Sequence, residues 1–143
     1  CLIFRSEDCG RNWQPLPVSF RFPDVTMGPG SNPAKRILMM AGSAADSDEL
    51  YGAIEVGGLI HTTDGGETWE KAGTTTPNLE GHNVAVTAGP PQTVVVVGNN
   101  DVFTSTDDGA TWSAVGIKEV FPYTYPRGIM GHAGSPKTFS LRL

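Results

Sequence analysis

The sequence predicts an all-β protein, a partial β-propeller of four-stranded antiparallel blades, and three observations carry that prediction. Eighteen Gly and eleven Pro punctuate the chain, with short runs rich in Val, Thr and Tyr between them, the pattern of many brief strands joined by turns. One eight-residue pattern occurs three times, as Ser6-Glu7-Asp8-Cys9-Gly10-Arg11-Asn12-Trp13, Thr62-Thr63-Asp64-Gly65-Gly66-Glu67-Thr68-Trp69 and Ser105-Thr106-Asp107-Asp108-Gly109-Ala110-Thr111-Trp112. The tryptophans that close it stand 56 and then 43 residues apart, about the length of one four-stranded blade. A second echo falls elsewhere in the same period, where Ala88-Gly89-Pro90-Pro91-Gln92-Thr93 matches Ala133-Gly134-Ser135-Pro136-Lys137-Thr138.

Taken in order, residues 1–16 read as the outer half of a blade, since the first turn motif has only a short run on each side of it. A Gly- and Pro-rich loop, Pro17 to Arg36, leads to a complete blade over 37–72. Its strands are expected at Ile37–Ala41, Tyr51–Glu55, Leu59–Thr62 and Trp69–Ala72, counted from the inner one outwards. An insertion rich in Ala, Asp and Ser follows Ala41-Gly42-Ser43 and lengthens the first spacing. The next complete blade, 84–115, is expected at Val84–Ala88, Val94–Gly98, Val102–Ser105 and Trp112–Val115. Val94-Val95-Val96-Val97 is apolar on both faces, as a strand sandwiched between two neighbours should be. Residues 128–143 then supply the inner half of a last blade.

Charge and cysteine usage narrow the function classes. A net charge of −5 with only ten Lys and Arg gives no basic stripe to neutralise phosphates, so nucleic acid is not an expected partner. No apolar run approaches the roughly 20 residues of a membrane-spanning helix, and the chain is expected to be soluble. Cys1 and Cys9 would lie about 20 Å apart along a strand and its turn, too far for a disulfide. The first residue is Cys, which suits a processed chain or an excised fragment. The His residues show no metal-ligand spacing, and no phosphate loop or nucleophile elbow appears, so neither a metal nor another cofactor is expected.

The three turn motifs resemble the Asp-box, or BNR, repeat, found in sialidases, xyloglucan-cleaving glycosidases, sortilin-type receptors and photosystem II assembly factors. The resemblance implies a propeller whose ligands bind in a central funnel, an extracytoplasmic setting, and Asp-box turns at the blade periphery. Asp8, Asp64 and Asp107 are therefore expected to accept backbone N–H bonds in a turn where Gly supplies a positive φ, with Trp13, Trp69 and Trp112 buried at equivalent positions in the sheets. A sialidase would need an arginine triad around the funnel, which this sequence does not place.

Connectivity locates the candidate binding face. In a four-stranded antiparallel blade, the loop entering the inner strand and the turn between the second and third strands emerge at one end, and the Asp-box turn at the other. That face would collect Glu55, His82, Asn99, Asp101, Tyr125 and Arg127, with Arg21, Asp24, Lys35 and Arg36 in the first interblade loop. Glu55 and Asp101 occupy equivalent turns and are the one carboxylate pair suited to acid–base work on a glycosidic bond. His82 suits a base or a ligand, or simply packing. The run Tyr123-Thr124-Tyr125-Pro126-Arg127 suits stacking on a sugar or gripping a carboxylate, with a core role for the two rings as the competing reading. The expected function is a non-catalytic repeat module presenting a carbohydrate- or protein-binding surface. The alternative is a fragment of a glycoside hydrolase. Two whole blades and two halves cannot close a ring, so the remaining blades of a longer chain or a second copy are expected alongside it.

Overall fold

The computed structural model describes residues 3–16, 36–55, 57–73, 80–123, 125–132 and 135–143. Arg21, Asp24 and Lys35 of the first interblade loop, and Ala133-Gly134 of the second echo, lie outside them. The described residues form twelve strands in four antiparallel sheets, with one short 3-10 helix, Ile117–Glu119. Strands β1 (Phe4–Arg5) and β2 (Gln14–Pro15) make a two-stranded sheet around the first box. A four-stranded sheet follows, ordered β3 (Ile37–Gly42), β4 (Leu50–Ile54), β5 (Gly58–Thr62) and β6 (Glu70–Lys71). The next is ordered β7 (Asn83–Val86), β8 (Val94–Val97), β9 (Val102–Ser105) and β10 (Ser113–Ala114). Finally β11 (Gly128–His132) pairs with β12 (Ser135–Arg142). Each strand pairs with its sequence neighbour, as in a blade of a β-propeller.

The outer strands are shorter than the sequence suggests. Trp69 and Trp112 stand outside the ladder because their indoles fold back on the preceding turn, leaving only Glu70–Lys71 and Ser113–Ala114 to pair.

The core lies between sheets, and the valine run shows why. Val94 and Val96 pack with Tyr51, Ala53, Leu59 and Ala72 of the preceding blade. Val95 and Val97 point the other way, with Val102 and Ile117, onto Ile129, Phe139 and Leu141 of the following one. Alternation along a single strand thus fills two interfaces, and all four valines are buried.

Candidate functional site

The two ends of each blade carry different chemistry. At one end sits the box turn. In the second box the Thr62 hydroxyl donates to Asp64 at 2.7 Å and accepts the Gly66 N–H at 3.1 Å. Asp64 accepts the Thr68 N–H at 2.9 Å and the Thr68 hydroxyl, and Trp69 donates its indole N–H to the Gly66 carbonyl at 2.9 Å. Ser105, Asp107, Gly109, Thr111 and Trp112 repeat the arrangement bond for bond. So do Ser6, Asp8, Gly10, Asn12 and Trp13. These bonds favour the ionised carboxylate. The Asn12 backbone N–H foremost, then its side-chain amide and Ser6, hold Asp8 down to about 2, and the Thr111 hydroxyl foremost does the same for Asp107. Asp64 is lowered by Thr68 in the same way.

The expectation of three buried tryptophans is corrected here. Trp69 and Trp112 are half-buried, and Trp13 is 61 % exposed. The indole is fixed by its own turn rather than by its sheet, so its burial depends on what the preceding blade lays over it.

The same end holds a polar link between blades. Glu49 accepts the Tyr51 hydroxyl at 2.7 Å, His61 Nε2 lies at 3.2 Å, and Gln92 of the next blade donates to the other carboxylate oxygen at 2.7 Å. Burial pushes the Glu49 carboxyl up, but hydrogen bonds from Gln92, Tyr51, Ser43 and His61 outweigh it and leave the group below its ordinary value. Burial, and then Glu49, pushes the Tyr51 phenol up. Glu49, Asp46, Gln92 and Asp108 line a groove of about 660 Å³. With both Glu49 oxygens engaged, this cluster is a strut between blades.

At the opposite end lie all six candidate residues. Glu55 continues β4, whose pairing with β5 closes at Ile54 and Gly58. His82 precedes β7 and donates its backbone N–H to Val97, and Asn99 and Asp101 lie in the turn that follows. Tyr125 and Arg127 precede β11, where the Arg127 N–H reaches the Arg142 carbonyl at 2.9 Å.

The Glu55 and Asp101 carboxylates each have partners of their own. Glu55 takes a two-point contact from Arg36, at 2.7 and 2.9 Å. Asp101 accepts the N–H groups of Val102, Gly116 and Ile117 at 2.8, 3.0 and 3.1 Å, fixing the start of the 3-10 helix. Both are committed to backbone or to an arginine. Asn99 accepts a bond from the Asn100 amide within the turn.

His82, Tyr125 and Arg127 do come together. The imidazole is buried, and its Nδ1 lies 2.9 Å from the carbonyl of Pro126, itself fully buried. Because a carbonyl only accepts, Nδ1 carries the proton and His82 donates. The ring meets Tyr125 edge-on at 5.1 Å, and the Arg127 guanidinium lies 4.3 Å from the Tyr125 ring centre. Glu80 approaches the other imidazole nitrogen at 3.9 Å. Tyr123 and Tyr125 are exposed, which corrects the core role considered for them. Proline at 126 points the backbone inward between two exposed side chains, and His82 anchors that point. Sequence reasoning named His82, Tyr125 and Arg127 but missed Pro126 as the anchor, since nothing local marks a carbonyl as the partner of a histidine 44 residues away.

Sheets of this order with box turns at one end define a partial β-propeller built from Asp-box blades. The chain carries BNR/Asp-box repeats: the model of that repeat matches residues 60–71 and 103–114. No curated protein matches the chain by sequence. Among solved structures it is similar to YCF48 bound to a D1 peptide, at 18% identity and TM-score 0.58 over 79% of this chain and 33% of that one. It is also similar to YCF48 from Cyanidioschyzon merolae, at 20% identity and TM-score 0.56 over 75% and 37% of the two chains. A Niastella koreensis GH74 enzyme matches at 23% identity and TM-score 0.53, over 71% of this chain and 14% of that one. These likenesses concern the fold. The chain spans about a third of the YCF48 chains and a smaller part of the GH74 enzyme.

Proposed function

We propose that this chain is a non-catalytic Asp-box propeller module whose His82–Tyr125–Arg127 platform binds a protein partner through an extended segment bearing a carboxylate. The observation that carries this reading is the exposed Tyr125 ring with the Arg127 guanidinium on it, held from below by the buried His82–Pro126 bond. An aromatic face with a fixed cation recognises a peptide carboxylate and the flat or apolar group beside it. The similar fold of a YCF48 with a bound peptide supports a protein ligand. The commitment of Glu55 and Asp101 to Arg36 and to backbone speaks against acid–base catalysis.

A second reading, a fragment of a glycoside hydrolase, is favoured by the GH74 neighbour, and Tyr125 would then stack on a sugar ring. Titrating the isotope-labelled chain with an acidic peptide, its basic counterpart and xyloglucan oligosaccharides separates the two. Shifts at Tyr125 and Arg127 with the acidic peptide, lost in Arg127→Ala, are expected. Shifts with the oligosaccharide alone, or release of new reducing ends, would replace this reading by the second.

A further inference from the structure

Two successive inner strands are entered in the same way. The His82 N–H donates to the Val97 carbonyl at 2.8 Å just before β7, and the Arg127 N–H donates to the Arg142 carbonyl at 2.9 Å just before β11. Gly81 and Pro126 therefore hold the same place in their repeats, one residue ahead of that bond, and both are buried. Each ties its strand entry to the blade before. The Gly81 N–H donates to the Ile54 carbonyl at 2.8 Å, where β4 turns into β5. Pro126 has no N–H to give, and its carbonyl instead accepts the His82 imidazole at 2.9 Å.

The two ties act in series. Gly81 seats the chain against the β4–β5 hairpin, His82 beside it holds the Pro126 carbonyl, and Pro126 separates Tyr125 from Arg127. The first tie leaves no slack. A methyl on Gly81 would stand 2.8 Å from the Gly58 carbonyl oxygen and 3.0 and 3.1 Å from the Ile54 oxygen and nitrogen. All three atoms belong to the backbone where Ile54 pairs with Gly58, and so close an approach of two backbones admits only glycine. A side chain here lifts the Glu80–His82 segment off the hairpin, and the imidazole with it.

We propose that Gly81 is a positioning residue for the binding platform and acts on it through His82. Its seat on the β4–β5 hairpin sets the depth of the imidazole, and the imidazole holds Pro126 where Tyr125 and Arg127 stand together before any ligand arrives. This assignment rests on the reading of Tyr125 and Arg127 as the binding platform. A platform formed in advance spares an incoming segment the entropy of ordering the loop. Where the seat is lost, only a fraction of the chains hold the platform at any moment, and the apparent affinity falls by that fraction.

The Tyr125 ring displaces the Arg127 Nε–H resonance upfield, so nuclear magnetic resonance of the full chain reads the platform with no ligand present. Gly81→Ala and His82→Leu should each remove most of that displacement and weaken binding of an acidic peptide about tenfold, with melting curves showing that both variants fold. His82→Asn, whose side-chain amide is a donor placed like Nδ1, should recover much of both losses seen in His82→Leu. Should Gly81→Ala fail to fold, amide exchange takes its place: coupling is reciprocal, so His82→Leu should speed exchange of the Gly81 N–H about tenfold. An Arg127 resonance unmoved in Gly81→Ala, or a Gly81 amide indifferent to His82→Leu, would overturn the proposal. If the free-chain resonances respond as stated and the acidic peptide binds neither the variants nor the parent, the positioning stands and the peptide reading falls.

Discussion

The box end and the platform end of the same blades are built on opposite plans. At the box end three turns repeat one set of bonds, each closed within a few residues, from the hydroxyl to the aspartate, to the Thr or Asn four positions on, and to the tryptophan. At the platform end the loops differ from blade to blade: Glu55 meets Arg36, Asp101 caps a 3-10 helix, and His82 anchors a proline. Repetition marks what each blade needs in order to exist. The other end is free of that requirement, and on the proposed function stability and binding should respond to substitutions at different ends.

The strongest test is at the junction between boxes. Gly73 has φ +69, and a methyl there would stand 2.2 Å from the Gly109 carbonyl oxygen, so Gly73→Ala should cost about 3 kcal/mol or more, read by denaturant unfolding. Gly116→Ala, at the same position of the next repeat, adds a methyl that no described atom approaches within 4 Å, at φ +75, and should cost only about 1 kcal/mol, the left-handed strain alone. Equal losses at the two glycines would show that the left-handed backbone, and not the close approach of the Gly109 carbonyl, sets the cost.

Acid gives the next effect. Asp8 and Asp107 are held at about 2 against an ordinary 3.8, so the unfolded chain takes up protons first as pH falls. The stability they supply is full above about pH 4 and is lost as the pH falls toward 2. Asp107→Asn should lower the melting temperature at neutral pH and flatten its fall across that window. An unchanged acid profile in this variant would remove the aspartates from the account. The smallest expected effect on stability is at the platform itself, where Tyr125→Ala should move the unfolding free energy by no more than about 0.5 kcal/mol. It should still reduce binding of the acidic peptide, and a large loss of stability would mean that Tyr125 serves the fold.

The sequence made the strands legible because alternation, glycine and the recurring box all act over short distances. Val94-Val95-Val96-Val97 announced its two-sided burial directly. The tryptophans misled because an aromatic beside a strand reads as core, whereas its indole N–H is claimed by a carbonyl three residues back. Glu55 and Asp101 looked paired by repeat position, yet their partners come from loops whose reach no period encodes. The Glu49–Gln92 strut was hidden for a related reason: Glu49 lies in the insertion that breaks the repeat, and its partner is in the next blade.

The locality of the box bonds bears on the order in which the chain acquires its structure. A turn whose contacts span two to four residues costs little loop-closure entropy and can close on the microsecond scale of hairpins, while the inner strands must wait for neighbouring blades. Each blade should therefore assemble from its rim towards its axis. A peptide of residues 58–73 offers a direct check, because it should retain the protected Gly66 and Thr68 amides of the box, and random-coil amides in it would place the turn late instead.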